Sequence, residues 1–291
     1  MIAATSIHVT IGEVAASVAL VAIAAAVSIW RRAQLERDLA IAVIRSFLQL
    51  TAVGYVIQAI FDSDSLWLVA LLAAVMVAFG SFTARSRAKA VPGSLKPIAI
   101  ALTTAAGVTI GLVLALGVFE PKPRYLVPVS GMVIGNAMTA AAVSLNRLAD
   151  EIRGSALRIE ATLALGATAW EASRDLVTRS LRSGMIPLID STKTTGVVFF
   201  PGTMVGMLLA GARPLDAVRL QLILLWALLG SVALSSVLAT GLGYRGFFTP
   251  AHQLKELESS PSEGGRPRTR RSRARVRRPR RSRLRRARAR P

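Results

Sequence analysis

Residues 220–244 read LQLILLWALLGSVALSSVLATGLGY, 25 residues without one Asp, Glu, Lys or Arg. An α-helix rises about 1.5 Å per residue, so this run is long enough to cross a hydrocarbon core of about 30 Å. A helix on the surface of a soluble protein would carry charged side chains on its outward face. The run therefore predicts a transmembrane helix.

Six further runs of the same kind precede it, and each contains one charged residue at most. They cover residues 14–30, 39–61, 66–83, 98–119, 125–145 and 194–212. The runs are continuously apolar, without the alternation of polar and apolar residues that a transmembrane β-barrel requires. The sequence therefore predicts an all-α membrane helix bundle with about seven transmembrane helices.

Composition agrees with a membrane protein and excludes several other classes. The 291 residues are 53% hydrophobic with a mean hydropathy of +0.51, although 18% of them are charged, so the charges must lie between the apolar runs. Cysteine is absent, which excludes disulfides and thiolate metal sites. The first ten residues contain no Lys or Arg, so we expect no cleaved signal peptide and a first span that is retained.

The short connections differ in their content of Lys and Arg. Connections 31–38, 84–97 and 146–193 hold 3, 4 and 7 of these residues, whereas connections 62–65, 120–124 and 213–219 hold 0, 2 and 2. Cytoplasmic loops are the ones enriched in Lys and Arg. We therefore predict a multi-pass protein of the inner (plasma) membrane with its N-terminus outside and its C-terminus in the cytoplasm.

Two regions are expected, a membrane domain over residues 1–252 and an arginine-rich tail over residues 253–291. Residues 266–291 contain 15 arginines in 26 residues and no apolar face, which predicts disorder. The tail could attract anionic membrane lipids, bind nucleic acid non-specifically, or be a functionless extension. No aromatic residue interleaves the arginines, which disfavours nucleic acid and leaves membrane lipids as the expected partner.

Residues 160–182, EATLALGATAWEASRDLVTRSLR, predict a helix that is too polar to span the membrane. Its larger apolar residues fall on one stripe of a helical wheel, and Asp175 and Arg179 are spaced for an i,i+4 ion pair. The segment, about residues 158–185, could lie on the membrane surface or dock a soluble protein. The residues of the stripe are Leu163, Ala167, Trp170, Val177 and Leu181.

Several motifs resemble known transport proteins. Glu160-Ala161-Thr162-x-x-x-Gly166 is similar to the EAA-type loop through which bacterial ABC permeases contact their ATPase. The longer stretches resemble the FetB/YbbM-type permeases, the UPF0014 family, which includes plant aluminium-tolerance membrane proteins. These stretches are IRSFLQL at 44–50, PVSGMVIGN at 128–136, IDSTKTTG at 189–196 and FPGTMVGM at 200–207.

The resemblance implies the permease subunit of an ABC transporter, a homodimer that exports iron or another metal with a separate ATPase subunit. It also implies that residues of the EAA-like segment couple the two subunits: Glu160, Ala161, Gly166, Trp170 and Glu171. The chain has no G-x-x-x-x-G-K-[ST] phosphate loop, so ATP hydrolysis would lie on the partner, and we expect neither enzymatic activity nor a cofactor in this chain. Two alternatives stay open, a secondary transporter without an ATPase and a membrane scaffold that transports nothing.

Four polar residues in or near the spans are candidates for the translocation pathway or for contacts within the bundle. Arg45 and Gln49 lie on one face of the second span, where Arg45 could instead extend to the lipid head groups. Asn136 in the fifth span favours a hydrogen bond between helices, with substrate contact as the alternative. Lys193, at the start of the sixth span, could also be an interfacial anchor.

Small residues and prolines suggest where helices pack or bend. G-x-x-x-G patterns occur at Gly107/Gly111, Gly131/Gly135 and Gly202/Gly206, and they permit close helix packing or a dimer contact. Pro201 and Gly202 should bend or break the sixth span, which could serve as a gate. The sequence assigns no metal ligands, because no span has a histidine and the methionines at 132, 138, 204 and 207 ordinarily fill space.

Overall fold

The computed structural model describes residues 10–31 and 33–255 of the chain, and this part is helical with no β-strand. Nine α-helices are followed by a short 3₁₀ helix at Tyr244–Phe247. The all-α prediction is therefore confirmed. The helices are α1 Ile11–Arg31, α2 Glu36–Ser63, α3 Leu66–Arg87, α4 Leu95–Ala115, α5 Pro123–Gly154, α6 Ala156–Ala164, α7 Ala169–Thr194, α8 Gly202–Leu209 and α9 Pro214–Gly243.

Six of the described helices, α1 to α5 and α9, are long and apolar enough to cross a membrane. The sixth predicted span, residues 194–212, does not form a continuous spanning helix. Helix α7 ends at Thr194, and α8 has only eight residues. The reason is local: Gly196 adopts φ +85°, and Pro201 has no backbone N–H to donate to a continuing helix.

Helices α5 and α9 lie at the centre of a bundle that also includes α3, α4 and α7. Their buried faces combine alanine and serine with larger aliphatic residues, and the small side chains let helix backbones approach closely. Leu145, Leu148 and Ile152 of α5 are fully enclosed. The core of the protein is therefore a set of tightly packed helices with small residues at their contacts.

Two close contacts fix the directions of the helices. A Cβ atom built on Gly243 would lie 2.5 Å from Cδ2 of Leu145, and one built on Gly246 would overlap the carbonyl of Pro92. The C-termini of α3, α5 and α9 and the N-terminus of α4 are therefore at one end of the bundle. We call this the basic end; it comprises residues 84–97, 147–182 and 244–255.

The sixth crossing of the bundle is interrupted. Trp170 at the start of α7 contacts Tyr244 at the basic end, whereas α9 runs parallel to α5 and begins at the opposite end. The chain between them passes once across the bundle, through α7, the connection 195–201 and α8. Six continuous helices and this one interrupted crossing together make seven crossings of the bundle.

Helices α1 and α2 pack loosely against the rest of the chain. They are joined by a turn in which Ser28 Oγ donates to Glu36 Oε1 at 3.0 Å. No residue in the most hydrophobic stretch of α2 is buried. Helix α2 contacts the bundle through Ile60, which packs with Val69, Leu126 and Val127. These two apolar helices therefore present most of their surface outward, as a lipid environment allows.

Candidate functional site

Helix α6 and the turn that follows it project from the basic end. Glu160 and Ala161 are exposed on α6, and the flanking side chains of Leu157 and Leu165 are 84% and 89% exposed. These two leucines give α6 and its turn an exposed apolar surface that a docked protein or the membrane surface could cover.

Gly166 makes the turn between α6 and α7 possible. It adopts φ +89°, a conformation that costs glycine little and other residues more. Its N–H donates to the carbonyl of Leu163 at 3.0 Å, and the N–H of Ala167 donates to Thr162 at 3.3 Å. The EAA-like motif is therefore a short helix closed by a glycine turn, whereas the sequence predicted one helix over residues 160–182.

A capping box starts α7. The N–H of Glu171 donates to Thr168 Oγ1 at 3.3 Å, and the N–H of Thr168 donates to Glu171 Oε2 at 2.8 Å. This backbone hydrogen bond, together with a second one from the Thr168 hydroxyl, lowers the pKa of Glu171 below its ordinary value. Sequence reasoning missed this box, although the Thr-x-x-Glu pattern is its usual signal.

Trp170 attaches the start of α7 to the C-terminal segment. Its ring centroid lies 5.3 Å from that of Tyr244, and the adjacent N–H of Ala169 donates to His252 Nδ1 at 3.2 Å. The segment after α9 also folds back, since the N–H of Lys255 donates to the carbonyl of Phe247 at 2.8 Å. The tail predicted to follow lies outside the described residues from position 256 onward.

The face that α7 buries differs from the predicted stripe. Trp170 is 46% exposed and Leu163 and Leu181 are half-buried, so only Val177 of the large predicted residues is well enclosed. Helix α7 packs into the bundle through small side chains and so does not lie flat on a membrane surface. Its buried residues are Ala169, Ser173, Leu176, Val177, Ser180 and Gly184.

The predicted ion pair between Asp175 and Arg179 does not form. Arg179 Nε lies 3.3 Å from Glu151 Oε2, which belongs to α5 and is the less exposed acidic partner. Asp175 Oδ2 instead lies 3.7 Å from Arg158 Nη2 on α6. These two contacts link α5, α6 and α7 to one another because α7 rests on α5; within α7, Asp175 Oδ1 lies 3.8 Å from Arg174 Nε and not beside Arg179.

The second span carries its two polar candidates on the outside of the single chain. Arg45 and Gln49 are both exposed on α2, and neither has a side-chain hydrogen bond or ion pair with residues 10–31 or 33–255. The structure therefore does not bring them into the interior of this bundle.

Asn136 lies on α5, close to α8. Its Nδ2 donates to the carbonyl of Met132 at 2.8 Å, so the described residues contain a bond within α5 and not the predicted bond between helices. Thr203 Oγ1 of α8 donates to Met132 Sδ at 3.7 Å. The interrupted crossing thus contacts α5 one helical turn before Asn136.

Lys193, the remaining polar candidate, lies at the end of α7, just before the interruption. Lys193 Nζ lies 3.5 Å from Asp190 Oδ1 in the last turns of α7. The connection then turns at Gly196, whose N–H donates to the carbonyl of Phe199 at 2.9 Å, and Pro201 stands at the N-cap of α8. The break that the sequence predicted at Pro201 and Gly202 falls at the start of α8, with Val197 88% exposed beside it.

Most of the predicted glycine patterns do not mark close helix contacts within the chain. A Cβ atom on Gly131 would lie 3.3 Å from Met76 Cε, whereas one built on the other members would meet nothing within 4 Å. The open positions are Gly107, Gly111, Gly135, Gly202 and Gly206.

The closest helix approach is at Gly184, which sequence reasoning missed. A Cβ atom there would lie 2.8 Å from the carbonyl oxygen of Ala140 and would overlap the hydroxyl of Ser144. The hydroxyls of Ser144 and Ser236 are buried at this contact with no hydrogen-bond partner among the described residues. Ser180-x-x-x-Gly184 is a small-x-x-x-small pattern, and that pattern was the available signal.

The described part of the chain contains no group of three or more His, Cys, Asp or Glu residues that could hold a metal ion. Met132 and Met138 pack against neighbouring helices; a Cβ atom on Gly80 would lie 3.7 Å from Met138 Sδ. No ligand set for a metal therefore follows from the geometry of these residues.

Comparisons with known proteins identify relatives over most of the chain. Residues 11–248 match the model of an uncharacterised protein family, UPF0014. The rice UPF0014 membrane protein STAR2 is 39% identical over 83% of this chain and 85% of its own length, and the Arabidopsis thaliana protein ALUMINUM SENSITIVE 3 is 36% identical over 83% and 88%. An Escherichia coli protein named "Probable iron export permease protein FetB" is 34% identical over 85% of this chain and 95% of its own length. No solved structure matches the chain. The chain therefore belongs to the UPF0014 family of membrane proteins.

Proposed function

We propose that this chain is the permease subunit of an ABC transporter, which exports iron or another metal across the inner (plasma) membrane with a separate ATPase subunit. The observation that carries the proposal is the exposed α6 and its Gly166 turn at the basic end. A soluble ATPase could dock there without entering the membrane. The name of the Escherichia coli relative supports a permease and suggests iron as the cargo.

The geometry supports mechanical coupling between α6 and the helix bundle. Arg158 connects α6 to α7, Arg179 connects α7 to α5, and Trp170 connects α7 to the segment after α9. A movement of α6 would therefore reach α7, whose C-terminal end leads directly into the interrupted crossing. Interrupted helices are common at the sites where transporters bind and release substrate.

The proposed complex contains two copies of this chain and two ATPase subunits. A homodimer would also give Arg45 and Gln49 a protein surface to contact, since a charged side chain facing lipid in a span is costly. In this arrangement the orientation is the one predicted from the connections, with the basic end in the cytoplasm where ATP is available.

The test is copurification of the full chain with an ATPase that carries a phosphate loop, followed by ATPase assays in lipid with iron and with other metals. We expect Glu160→Lys and Leu165→Gln to remove most of the ATPase stimulation, because both side chains are exposed on the proposed contact. Leu215→Gln is the matched control, an exposed leucine at the opposite end of the bundle. Full stimulation in both α6 variants would refute the docking assignment.

The same experiment separates the two alternatives. A secondary transporter would move its substrate in vesicles that contain this chain and no ATPase, driven by an ion gradient. A scaffold would bind a soluble partner without metal-dependent ATPase activity. Either result would replace the ABC permease proposal.

A further inference from the structure

The connection between α3 and α4 borders a polar cavity at the basic end. The cavity has a volume of about 440 Å³, and its walls include Arg85, Ser86, Lys89 and Ser94. Neither Arg85 nor Lys89 forms an ion pair with residues 10–31 or 33–255. Two cationic side chains without a counter-charge in this part of the chain favour an anion in the cavity.

Ser94 gives a second and independent indication of a ligand. It is only 3% exposed and lines the cavity at the N-cap of α4, yet its hydroxyl makes no capping hydrogen bond. A hydroxyl that lines the cavity and makes no cap is available as a donor, and an anionic oxygen in the cavity would accept its hydrogen bond. The first N–H groups of α4 add positive potential on the same side.

An apolar groove continues from this cavity along α3 and α4. The groove has a volume of about 740 Å³, and Phe82 lines both spaces. Its walls are formed by exposed small residues, and a Cβ atom on Gly107 or Gly111 would meet nothing within 4 Å. These glycines therefore leave the groove open. The small residues are Ala70, Ala74 and Ala78 on α3 and Thr103, Gly107 and Gly111 on α4.

The dimensions of the groove fit one leaflet of a bilayer. From Ala70 to Phe82 the axis of α3 rises by about 18 Å, slightly more than half of a hydrocarbon core of about 30 Å. The cations of the polar cavity stand beyond the Phe82 end, where a head group would be. Basic pockets between spanning helices are known to bind anionic lipid head groups.

We propose that this composite site binds one anionic phospholipid, with its phosphate in the cavity at Arg85, Lys89 and Ser94 and an acyl chain in the groove. A free phosphate would use only the cavity, and a second copy of the chain would use only the groove. The phospholipid alone explains why a polar cavity and an apolar groove meet at Phe82.

Binding is measured on the full chain in neutral detergent, by titrating phosphatidylglycerol, phosphatidylcholine or inorganic phosphate and counting bound molecules by native mass spectrometry. We expect one phosphatidylglycerol and no comparable binding of the other two. Removing both cations with Arg85→Gln and Lys89→Gln should weaken that binding roughly 25-fold, at roughly five-fold for each charge. Arg87→Gln with Lys96→Gln is the matched control, because it removes two charges from the same connection without touching the cavity walls.

The groove is tested with Gly111→Leu, which adds a side chain at a groove wall where a Cβ atom would meet nothing within 4 Å, against Gly230→Leu on α9, where a Cβ atom is equally free. We expect only Gly111→Leu to reduce phosphatidylglycerol binding. The chain contains no cysteine, so Gly111→Cys introduces the only one. A disulfide between two copies of this variant would show that the groove is a contact between protomers. That disulfide, equal binding of both lipids, equal loss in the charge control, or binding of inorganic phosphate at comparable affinity would overturn the proposal.

Discussion

At the scale of single residues, Gly184 sets how closely α7 approaches α5. An added methyl group would contact the carbonyl oxygen of Ala140 at 2.8 Å, and backbone cannot rotate away as a side chain can. We expect Gly184→Ala to destabilise the protein by about 1–3 kcal/mol, the usual cost of overpacking, and to lower its melting temperature in detergent.

The control for this prediction is Gly135→Ala on α5. A methyl group there meets nothing within 4 Å, and alanine favours a helix over glycine by up to about 1 kcal/mol. The control should therefore melt at the same temperature as the unchanged protein or above it. Equal melting temperatures for the two variants would mean that α7 is not held against α5 at Gly184.

The residue scale is also where the sequence was least informative. The G-x-x-x-G patterns were visible, but whether a glycine faces a neighbouring helix depends on packing that spacing alone does not determine. Gly131 does face α3 through Met76, whereas Gly107 and Gly111 face open space. Asp175 and Arg179 had the correct spacing for a pair, but Glu151 on another helix offered Arg179 a less exposed partner.

At the scale of elements, the capping box determines where α7 starts. Thr168→Ala removes the side-chain acceptor for the N–H of Glu171, which should destabilise the first turn by about 1 kcal/mol. We expect hydrogen exchange in residues 167–172 to become about five-fold faster at pH 7, with no change in α9. Unchanged exchange in that turn would show that the box contributes nothing.

The same box predicts a pH dependence. The pKa of Glu171 is lowered because its carboxylate accepts hydrogen bonds from Thr168, so its contribution is present above the ordinary glutamate pKa and is lost as the pH falls through the lowered value. Fraying of the first turn of α7 should therefore increase below pH 4.5 in the unchanged protein. Glu171→Gln should remove this pH step, measured as exchange corrected for the intrinsic rate at each pH.

Helices were predicted well where the length of a continuous apolar run is enough to determine that a helix forms. The runs at 14–30, 39–61, 66–83, 98–119, 125–145 and 220–244 all became long helices, because a continuous apolar stretch has one stable form in lipid. The run at 194–212 is equally apolar but contains Gly196 and Pro201, and backbone conformation overrode hydropathy there. The motif at Glu160 was visible as a resemblance, but its division into two helices depended on Gly166.

At the scale of the whole molecule, the described residues place connection 84–97, α6 and the segment after α9 at one end, and the connection between α4 and α5 at the other. At that other end Glu120 Oε2 lies 2.6 Å from Lys122 Nζ, and this contact lowers the pKa of Glu120 and raises that of Lys122. The positive charge of Lys122 is thereby paired locally, whereas the basic end retains Arg85 and Lys89 without an ion pair in the described residues. The orientation rule itself counts Lys and Arg, and the connection 84–97 contains four of them against two in the connection 120–124.

The orientation can be tested directly because the chain contains no cysteine. Leu165→Cys places a thiol on the exposed turn at the basic end, and Glu120→Cys places one at the opposite end. We expect a membrane-impermeant maleimide to label Glu120→Cys in intact cells and to label Leu165→Cys only after the membrane is opened. Since α6 would then face the cytoplasm, the ATPase could reach it; labelling of Leu165→Cys from outside would reverse the orientation and leave the proposed docking turn on the side without ATP.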